Sequence, residues 1–297
     1  MKLPLNGWII LDKPYGLGST QAVGAVKRCL REGGEAKTKI GHGGTLDPLA
    51  SGVLPVALGE ATKLAGRMLD SDKVYDFTVL LGSQTDTLDT EGQVIAASDH
   101  RPTQQDVVEV IPRFIGPIEQ MPPAFSALKV DGRRAYDLAR AGEEVVLKSR
   151  NVTIHALSLR DYDGQSATFS ATVSKGTYIR SLARDIALAL GTVGHVTMLR
   201  RTKAGPFTLD DAISLDKLQE TATGGKIGQC VLPLTTGLDD IPALAVTSAD
   251  ALALRQGKIV QGSPRLQGLM LAMDGDVPVA LVEGLDLEIK VVRGFNL

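Results

Sequence analysis

The sequence predicts an α+β fold, in which a large domain on a largely antiparallel mixed sheet precedes a small β-rich module. Helical and strand patterns follow no strict βαβ alternation, which disfavours a purely parallel sheet. Residues 151–159 and 167–173 alternate apolar and polar side chains, as expected of an antiparallel pair. A stretch rich in Gly and Thr at 221–238 indicates a connection between domains, predicted to span residues 1–238 and 239–297.

Local signals predict the elements of the large domain in order. A buried strand is expected over residues 7–12, where Lys13 and Pro14 stop it, and Ser19 is the predicted N-cap of the next helix. Helices follow at 61–69, 103–114, 134–141 (closed by Gly142) and 178–190, and a strand at 73–81. The helix at 178–190 has the clearest signal, because its apolar residues form one stripe.

The module after residue 238 has a shorter pattern. One helix is expected over 249–256, followed by strands at 269–273, 277–282 and 287–292. The pattern indicates a small β-rich module of under 60 residues.

Composition indicates an ordinary globular protein, with 43% hydrophobic residues and a net charge of −2 over 297 residues. No apolar run approaches the roughly 20 residues of a membrane-spanning helix, and no secretory signal is evident. Two cysteines are too few for a disulfide framework. We therefore expect a cytoplasmic, monomeric protein without a membrane anchor.

Several cofactor signatures are absent from the sequence. There is no Gly-rich loop followed by Lys-Ser or Lys-Thr to cradle nucleotide phosphates. The four histidines are scattered, with none at helical spacing from another, which disfavours a zinc site. We expect no cofactor, no nucleotide and no metal.

Charge is distributed unevenly along the chain. Residues 150–206 carry eight Lys or Arg against three Asp, a local excess of five positive charges. Such a patch suits the phosphates of a nucleic acid, but a solvated basic face has the same composition. Charge alone leaves both interpretations open.

The candidate chemistry lies in residues 39–55, where glycines and prolines crowd around Asp47. Such a loop lets the backbone approach a ligand closely. Asp47 followed by Pro48 is also typical of a turn in which the Asp side chain binds its own backbone. Other motifs in the sequence decide between these two interpretations.

Five blocks stand in order between about residues 9 and 207: Leu11-Asp12-Lys13-Pro14 with Gly16 and Ser19; Gly41-His42 and 44–48, continuing through 52–55 and 61–63; Lys73-Val74-Tyr75 with Leu81-Gly82 and Thr85-Asp86-Thr87; Pro122-Pro123 with Ser126-Ala127 and Lys129; and 176–182 with 199–202. Together they resemble the bacterial tRNA pseudouridine-55 synthases, the TruB family. The resemblance implies a pseudouridine-synthase catalytic domain over residues 1–238, a tRNA substrate and no cofactor. It also implies that the module at 239–297 is a PUA-like RNA-binding domain, which its position, size and β-content fit.

The resemblance also implies roles for individual residues. Asp47 matches the carboxylate that engages the flipped target uridine, Arg180 its ion-pair partner, and Tyr75 the aromatic residue that stacks on the uracil. The substrate-binding positions are His42, which fills the space vacated by the base, Leu199, an apolar wall, and Lys13, Tyr178 and Arg201. Lys13, Lys63 and Arg201 suit either phosphate contacts or structural pairs. Attack on the base, attack on the ribose and proton abstraction all remain open for Asp47.

The resemblance implies isomerisation of uridine 55 in the T arm of tRNA. A pseudouridine synthase for another RNA is the nearest alternative, and a non-catalytic RNA-binding or RNA-folding module is a second. A glycosidase is disfavoured, because no second carboxylate stands in a comparable loop.

Overall fold

A computed structural model describes residues 2–126, 128–130, 133–141 and 147–297. The chain forms two compact units. The terminal unit comprises the residues up to Leu46 together with Leu54–Leu69 and Pro206–Leu297, and the central unit comprises Asp47–Val53 and Asp70–Gly205. The predicted domain boundary at residue 238 stays a prediction.

The helices are α1 (Ser19–Glu32), α2 (Ala65–Asp70), α3 (Gln104–Val110), α4 (Ala135–Arg140), α5 (Ile179–Ala189), α6 (Leu215–Thr223) and α7 (Ser248–Arg255). Turns of 3₁₀ helix lie at Gly59–Leu64, Ile111–Phe114, Leu209–Asp211, Ile227–Cys230 and Leu234–Leu238. Within the described ranges, no helix is long and apolar enough to cross a membrane. The predicted helix at 134–141 corresponds to α4, while Gly142, which was predicted to close this helix, lies outside the described residues.

The strands of the first half are β1 (Gly7–Lys13), β2 (Ile40–His42), β3 (Ala50–Leu58), β4 (Lys73–Leu81), β5 (Ser83–Thr85), β6 (Val94–Ala97), β7 (Gly116–Gln120), β8 (Lys129–Val130) and β9 (Arg133–Arg134). Those of the second half are β10 (Arg150–Tyr162), β11 (Ser166–Val173), β12 (Gly194–Ala204), β13 (Phe207–Thr208), β14 (Ile213–Ser214), β15 (Ala243–Ala245), β16 (Val260–Gln261), β17 (Gly268–Asp274), β18 (Val277–Leu285) and β19 (Glu288–Gly294).

The central unit is built on a mixed sheet, in the order β12-β4-β11-β10-β7. Every neighbouring pair in this order is antiparallel, and the predicted pairing of β10 with β11 is confirmed. The first residues of β3 add a parallel neighbour to β12, with Leu199 opposite Ala50 and Arg201 opposite Gly52. The predicted α+β class on a largely antiparallel mixed sheet is therefore confirmed.

Helix α5 covers one face of this sheet, as its apolar stripe predicts. Leu182, Ala183 and Ile186 are buried in the same core as Phe77 and Phe169. These two rings stack across β4 and β11 with their centroids 5.4 Å apart. Burial of large apolar side chains supplies most of the favourable free energy here, and it fixes the first turn of α5, which carries Arg180.

The terminal unit has its own core around β1. Trp8 is fully buried, its ring lies 5.3 Å from that of Phe207, and its indole N–H donates to the Leu234 carbonyl. The segment 221–238, predicted to connect two domains, is ordered and packs on this core through Leu234. It holds the end of α6 and two 3₁₀ turns, and Leu234 and Leu238 are buried.

The last residues of the terminal unit form a separate five-stranded sheet, in the order β15-β17-β18-β19-β16. Helix α7 packs on it through Ala251 and Leu254 over a small apolar core that includes Val279 and Val282. The predicted helix and three strands of this module are confirmed, each within three residues of its expected ends. Its identity as a PUA-like domain stays a prediction.

One further expectation needs correction, and one strand was not predicted at all. Ser19 is the first residue of α1 rather than its N-cap, which is Gly18, and the backbone N–H of Gly18 donates to the Gln21 side chain. Strand β12 carries no alternating signal, because Arg200, Arg201 and Lys203 interrupt its apolar residues. It nevertheless lies between β3 and β4, which shows that pairing on both edges outweighs its weak local preference.

We predict that Gly52→Ala strongly destabilises the protein. Gly52 has φ +102°, and an added Cβ would lie 2.1 Å from the Arg201 carbonyl oxygen across the β3–β12 pair. We expect the free energy of unfolding to fall by roughly 3 kcal/mol, measured by urea denaturation. The matched control is Gly24→Ala, at an exposed position in α1 with open space around it, which should gain about 0.5–1 kcal/mol. Equal stabilities for the two variants would contradict this packing.

Candidate active site

The loop between β2 and β3 presents Asp47. The backbone on its N-terminal side is fixed, because the Ser19 hydroxyl donates to the Leu46 carbonyl and accepts the Leu46 N–H, both at 2.8 Å. On the other side the Asp47 carbonyl accepts the Ala50 N–H, which closes a tight turn into β3. The Asp47 side chain is 39% exposed, and its carboxylate contacts Arg180. Asp47 therefore does more than stabilise a turn.

Arg180 lies in the first turn of α5 and is almost completely buried. Its Nη2 is 3.0 Å from Asp47 Oδ2, and its Nη1 is 3.3 Å from Asp89 Oδ2. The same nitrogens donate to two backbone carbonyls, Nη1 to Thr87 at 2.8 Å and Nη2 to Phe125 at 2.9 Å. The planar guanidinium thus binds four oxygens at once, an arrangement that suits arginine and not lysine. Although α5 is amphipathic, Arg180 does not lie on the solvent-exposed face of this helix.

Asp89 is the second carboxylate on this guanidinium, and the sequence did not single it out. Its Oδ1 accepts the Thr87 hydroxyl at 2.5 Å and the Glu91 N–H at 3.0 Å, and its side chain is 10% exposed. Leu88, the residue before it, is buried with φ +63°, a region that non-glycine residues seldom adopt. The available signal was the motif Thr85-Asp86-Thr87, which ends two positions before Asp89.

Asp47 and Arg180 line a cavity of about 220 Å³ within the central unit. Its other walls include Asp89, Phe125, Ser126 and Tyr136. A smaller adjoining cavity, also lined by Asp47 and Arg180, is bounded by Leu199 and Met198 of β12. Leu199 therefore lines a cavity together with Asp47, and its role as an apolar wall for the substrate stays a prediction.

Tyr75 and Arg201 stand opposite each other on β4 and β12. Tyr75 is half-buried and packs on the central core, and it is not among the described residues that line the two cavities. Arg201 is 1% exposed and its Nε donates to the Val53 carbonyl at 2.7 Å, which favours the structural-pair interpretation over a phosphate contact. Burial, and next the charge of Arg201, lower the pKa of nearby Lys73 to about 8.

The remaining predicted site residues have well-defined surroundings. Tyr178 precedes α5, where its N–H and carbonyl both bind the Gln120 side chain and its ring faces the Arg150 guanidinium at 4.5 Å. In the terminal unit, Lys13 is fully buried and donates to the carbonyls of Pro14 and Leu17. His42 ends β2, opposite Val56. For Lys13, as for Arg201, these contacts favour a structural role over a phosphate contact.

Solved structures share this architecture. A chain from a structure titled "Structure of H/ACA RNP bound to a substrate RNA containing 2'-deoxyuridine" superposes with a TM-score of 0.73 at 25% identity, covering 98% of this chain and 85% of that chain. A chain of a Cbf5-Nop10-Gar1 complex superposes with the same score and coverage at 27% identity. Together with the family models that match this chain, the shared fold places it in the class of the pseudouridine synthases.

The chain belongs to the TruB family. Residues 31–179 match the model of the TruB family pseudouridylate synthase N-terminal domain, and residues 180–239 match that of the tRNA pseudouridylate synthase B C-terminal domain. It is therefore an isomerase that converts uridine to pseudouridine.

Highly similar relatives cover nearly the full length of the chain. The tRNA pseudouridine synthase B of Zymomonas mobilis is 62% identical over 98% of this chain and 96% of its own length. The tRNA pseudouridine synthase B of Novosphingobium aromaticivorans is 61% identical over 99% of this chain and 98% of its own length. The family resemblance inferred from the five sequence blocks is confirmed.

We predict that Asp89→Asn lowers kcat by roughly 10- to 100-fold, because a charge-assisted contact that orients Arg180 becomes a neutral one. The control is Asp86→Asn in the same hairpin, an exposed carboxylate that accepts the Gln93 N–H. Replacing the Asp86 carboxylate should lower kcat far less than replacing that of Asp89. Single-turnover assays on a uridine-containing stem-loop would measure both. Equal effects would show that Asp89 acts only through the fold of the hairpin.

Proposed function

We propose that this protein isomerises the uridine at position 55 in the T arm of tRNA, with Asp47 as the catalytic carboxylate. The observation that carries the proposal is the exposed Asp47 carboxylate, bound to a buried Arg180 at the edge of a cavity. The tRNA substrate is supported by the names of relatives more than 60% identical over almost the whole chain. We further propose that the protein acts in the cytoplasm as a monomer.

The reaction conserves every atom of the substrate. The bond from N1 of uracil to C1′ of the ribose breaks, the base rotates, a bond from C5 to C1′ forms, and the C5 proton is replaced by one on N1. A single carboxylate suffices because no water, electron or metal ion is consumed. Arg180 holds Asp47 through Oδ2, and this contact orients the carboxylate toward a bound base.

The target base must leave the RNA stack to reach Asp47. Leu199 supplies an apolar surface beside the carboxylate, Tyr75 is proposed to stack on the flipped uracil, and His42 to occupy the space that the base leaves. Lys13, Arg201 and Lys63 act structurally in this scheme, because each donates to a backbone carbonyl of the protein.

We predict that Asp47→Asn abolishes pseudouridine formation and leaves folding and RNA binding largely intact, since Asn preserves the shape and removes the charge. Wild-type protein and the variant would be incubated with an unmodified tRNA transcript, and pseudouridine mapped by chemical labelling. Wild-type product at the T-arm position alone is expected. Pseudouridine at another position would support the proposed activity but contradict the proposed T-arm target. Substantial turnover by the variant would contradict the assignment of Asp47 as the catalytic group.

The C-terminal module, residues 239–297, is proposed to be a PUA-like clamp for the tRNA body. It carries five basic and eight acidic residues, so bulk attraction to phosphates is not its means of binding. Hydrogen bonds and an ion pair join it to residues 59–67 of the same unit. Lys63 donates to the Gly294 carbonyl, the Asn296 N–H donates to Glu60, and Arg67 forms a two-pronged pair with Asp240.

We predict that removing residues 239–297 weakens binding to full tRNA more than it slows turnover of a minimal T-arm stem-loop. Binding titrations and single-turnover assays on both RNAs would compare the truncated and intact proteins. A truncated protein that binds full tRNA as tightly as the intact chain would reject the clamp. Precipitation of the truncated protein would instead indicate that the module covers apolar surface.

A further inference from the structure

Ser126 has a buried hydroxyl to which no described residue of the protein is hydrogen-bonded. The residue is 4% exposed, and within the described part of the chain its Oγ makes no hydrogen bond. Buried hydroxyl groups in folded proteins are nearly always paired, because burying one alone costs free energy. Each exception therefore requires a reason, and a ligand that supplies the missing partner is one.

Two backbone hydrogen bonds position Ser126 itself. The Ser126 carbonyl accepts the Tyr136 N–H at 3.0 Å, and its N–H donates to the Ala124 carbonyl at 3.1 Å. The preceding carbonyl, that of Phe125, accepts Nη2 of Arg180. The guanidinium that binds Asp47 thus also fixes the position of Ser126.

Ser126 lines the same cavity as Asp47 and Arg180. Thr87 contributes a second hydroxyl to this cavity, but that group donates to Asp89 Oδ1 and is already engaged. The Ser126 hydroxyl can turn between staggered positions and either donate or accept. On turning about its Cα–Cβ bond it is a hydroxyl that can pair with a group bound in the cavity.

The neighbouring walls suit a planar ring. Phe125 and Tyr136 both line the cavity, and their rings meet edge to face, with centroids 6.1 Å apart and an interplanar angle of 78°. Aromatic surfaces of this kind favour a flat heterocycle. A uracil ring offers such a plane and, along one edge, two carbonyl oxygens and an N–H.

We propose that Ser126 is a specificity-determining residue whose hydroxyl hydrogen-bonds the polar edge of the target base, with the Phe125–Tyr136 pair beside the ring. The inference rests on the proposed function, since it assigns the cavity to the base on which Asp47 acts. Ser126 contributes by recognition, and Asp47 performs the chemistry. A site that hydrogen-bonds a substrate group discriminates against analogues that lack it.

The first test is Ser126→Ala, assayed on a minimal T-arm stem-loop with uridine at the target position. We expect kcat/KM to fall about tenfold, the factor for one hydrogen bond. The temperature of unfolding should not fall, because the variant removes an unpaired buried polar group. The matched control is Ser181→Ala, a fully buried serine whose hydroxyl donates to the Met121 carbonyl, and its unfolding temperature should drop.

The second test replaces the target uridine by 2-thiouridine, 4-thiouridine or N3-methyluridine, each of which alters one group on the polar edge. Wild type should lose kcat/KM on at least one analogue, and Ser126→Ala should lose less on that same analogue. Unchanged kcat/KM for Ser126→Ala on uridine, or identical analogue penalties for both proteins, would overturn the proposal. Absence of product from wild type would instead reject the proposed function, so the two failures are distinguishable.

Discussion

The buried guanidinium of Arg180 is the group on which the site depends. A charge removed from water is tolerated only when it is paired and hydrogen-bonded, so the chain must bring oxygens to it from several places. Asp47, Asp89 and the carbonyls of Thr87 and Phe125 do so. The Asp47 loop, the hairpin of β5 and β6, and the segment after β7 therefore have one common partner.

The two carboxylates on Arg180 differ in exposure, and this difference separates their roles. Asp89 is 10% exposed and also binds a hydroxyl and a backbone N–H, so it is fully engaged within the protein. Asp47 is 39% exposed and faces the cavity. The buried carboxylate balances and aligns the guanidinium, while the exposed one stays accessible to a substrate. Sequence alone presents both as aspartates in polar loops.

The success of the sequence predictions followed the strength of the local signal. Helix α5 and the β10–β11 pair were predicted because burial of one face imposes a regular period on the sequence. Strand β12 was missed, since Arg201 interrupts its apolar pattern. The structure buries this arginine and pairs its Nε with the Val53 carbonyl, a contact 148 positions away along the chain. Periodicity cannot reveal an interior charge whose compensation is so remote.

The sequence by itself indicated the α+β class, because an amphipathic helix and alternating strands are local features. The resemblance carried by its ordered motifs implied the family and the pairing of Asp47 with Arg180. Only the tertiary structure decided which other groups share that guanidinium. Thr87 and Phe125 reach Arg180 across 93 and 55 positions of the chain. Ser126 and Tyr136 enter the same cavity wall through a backbone hydrogen bond. Such contacts arise when distant segments satisfy one buried charge, and that requirement leaves no periodic trace in any of them.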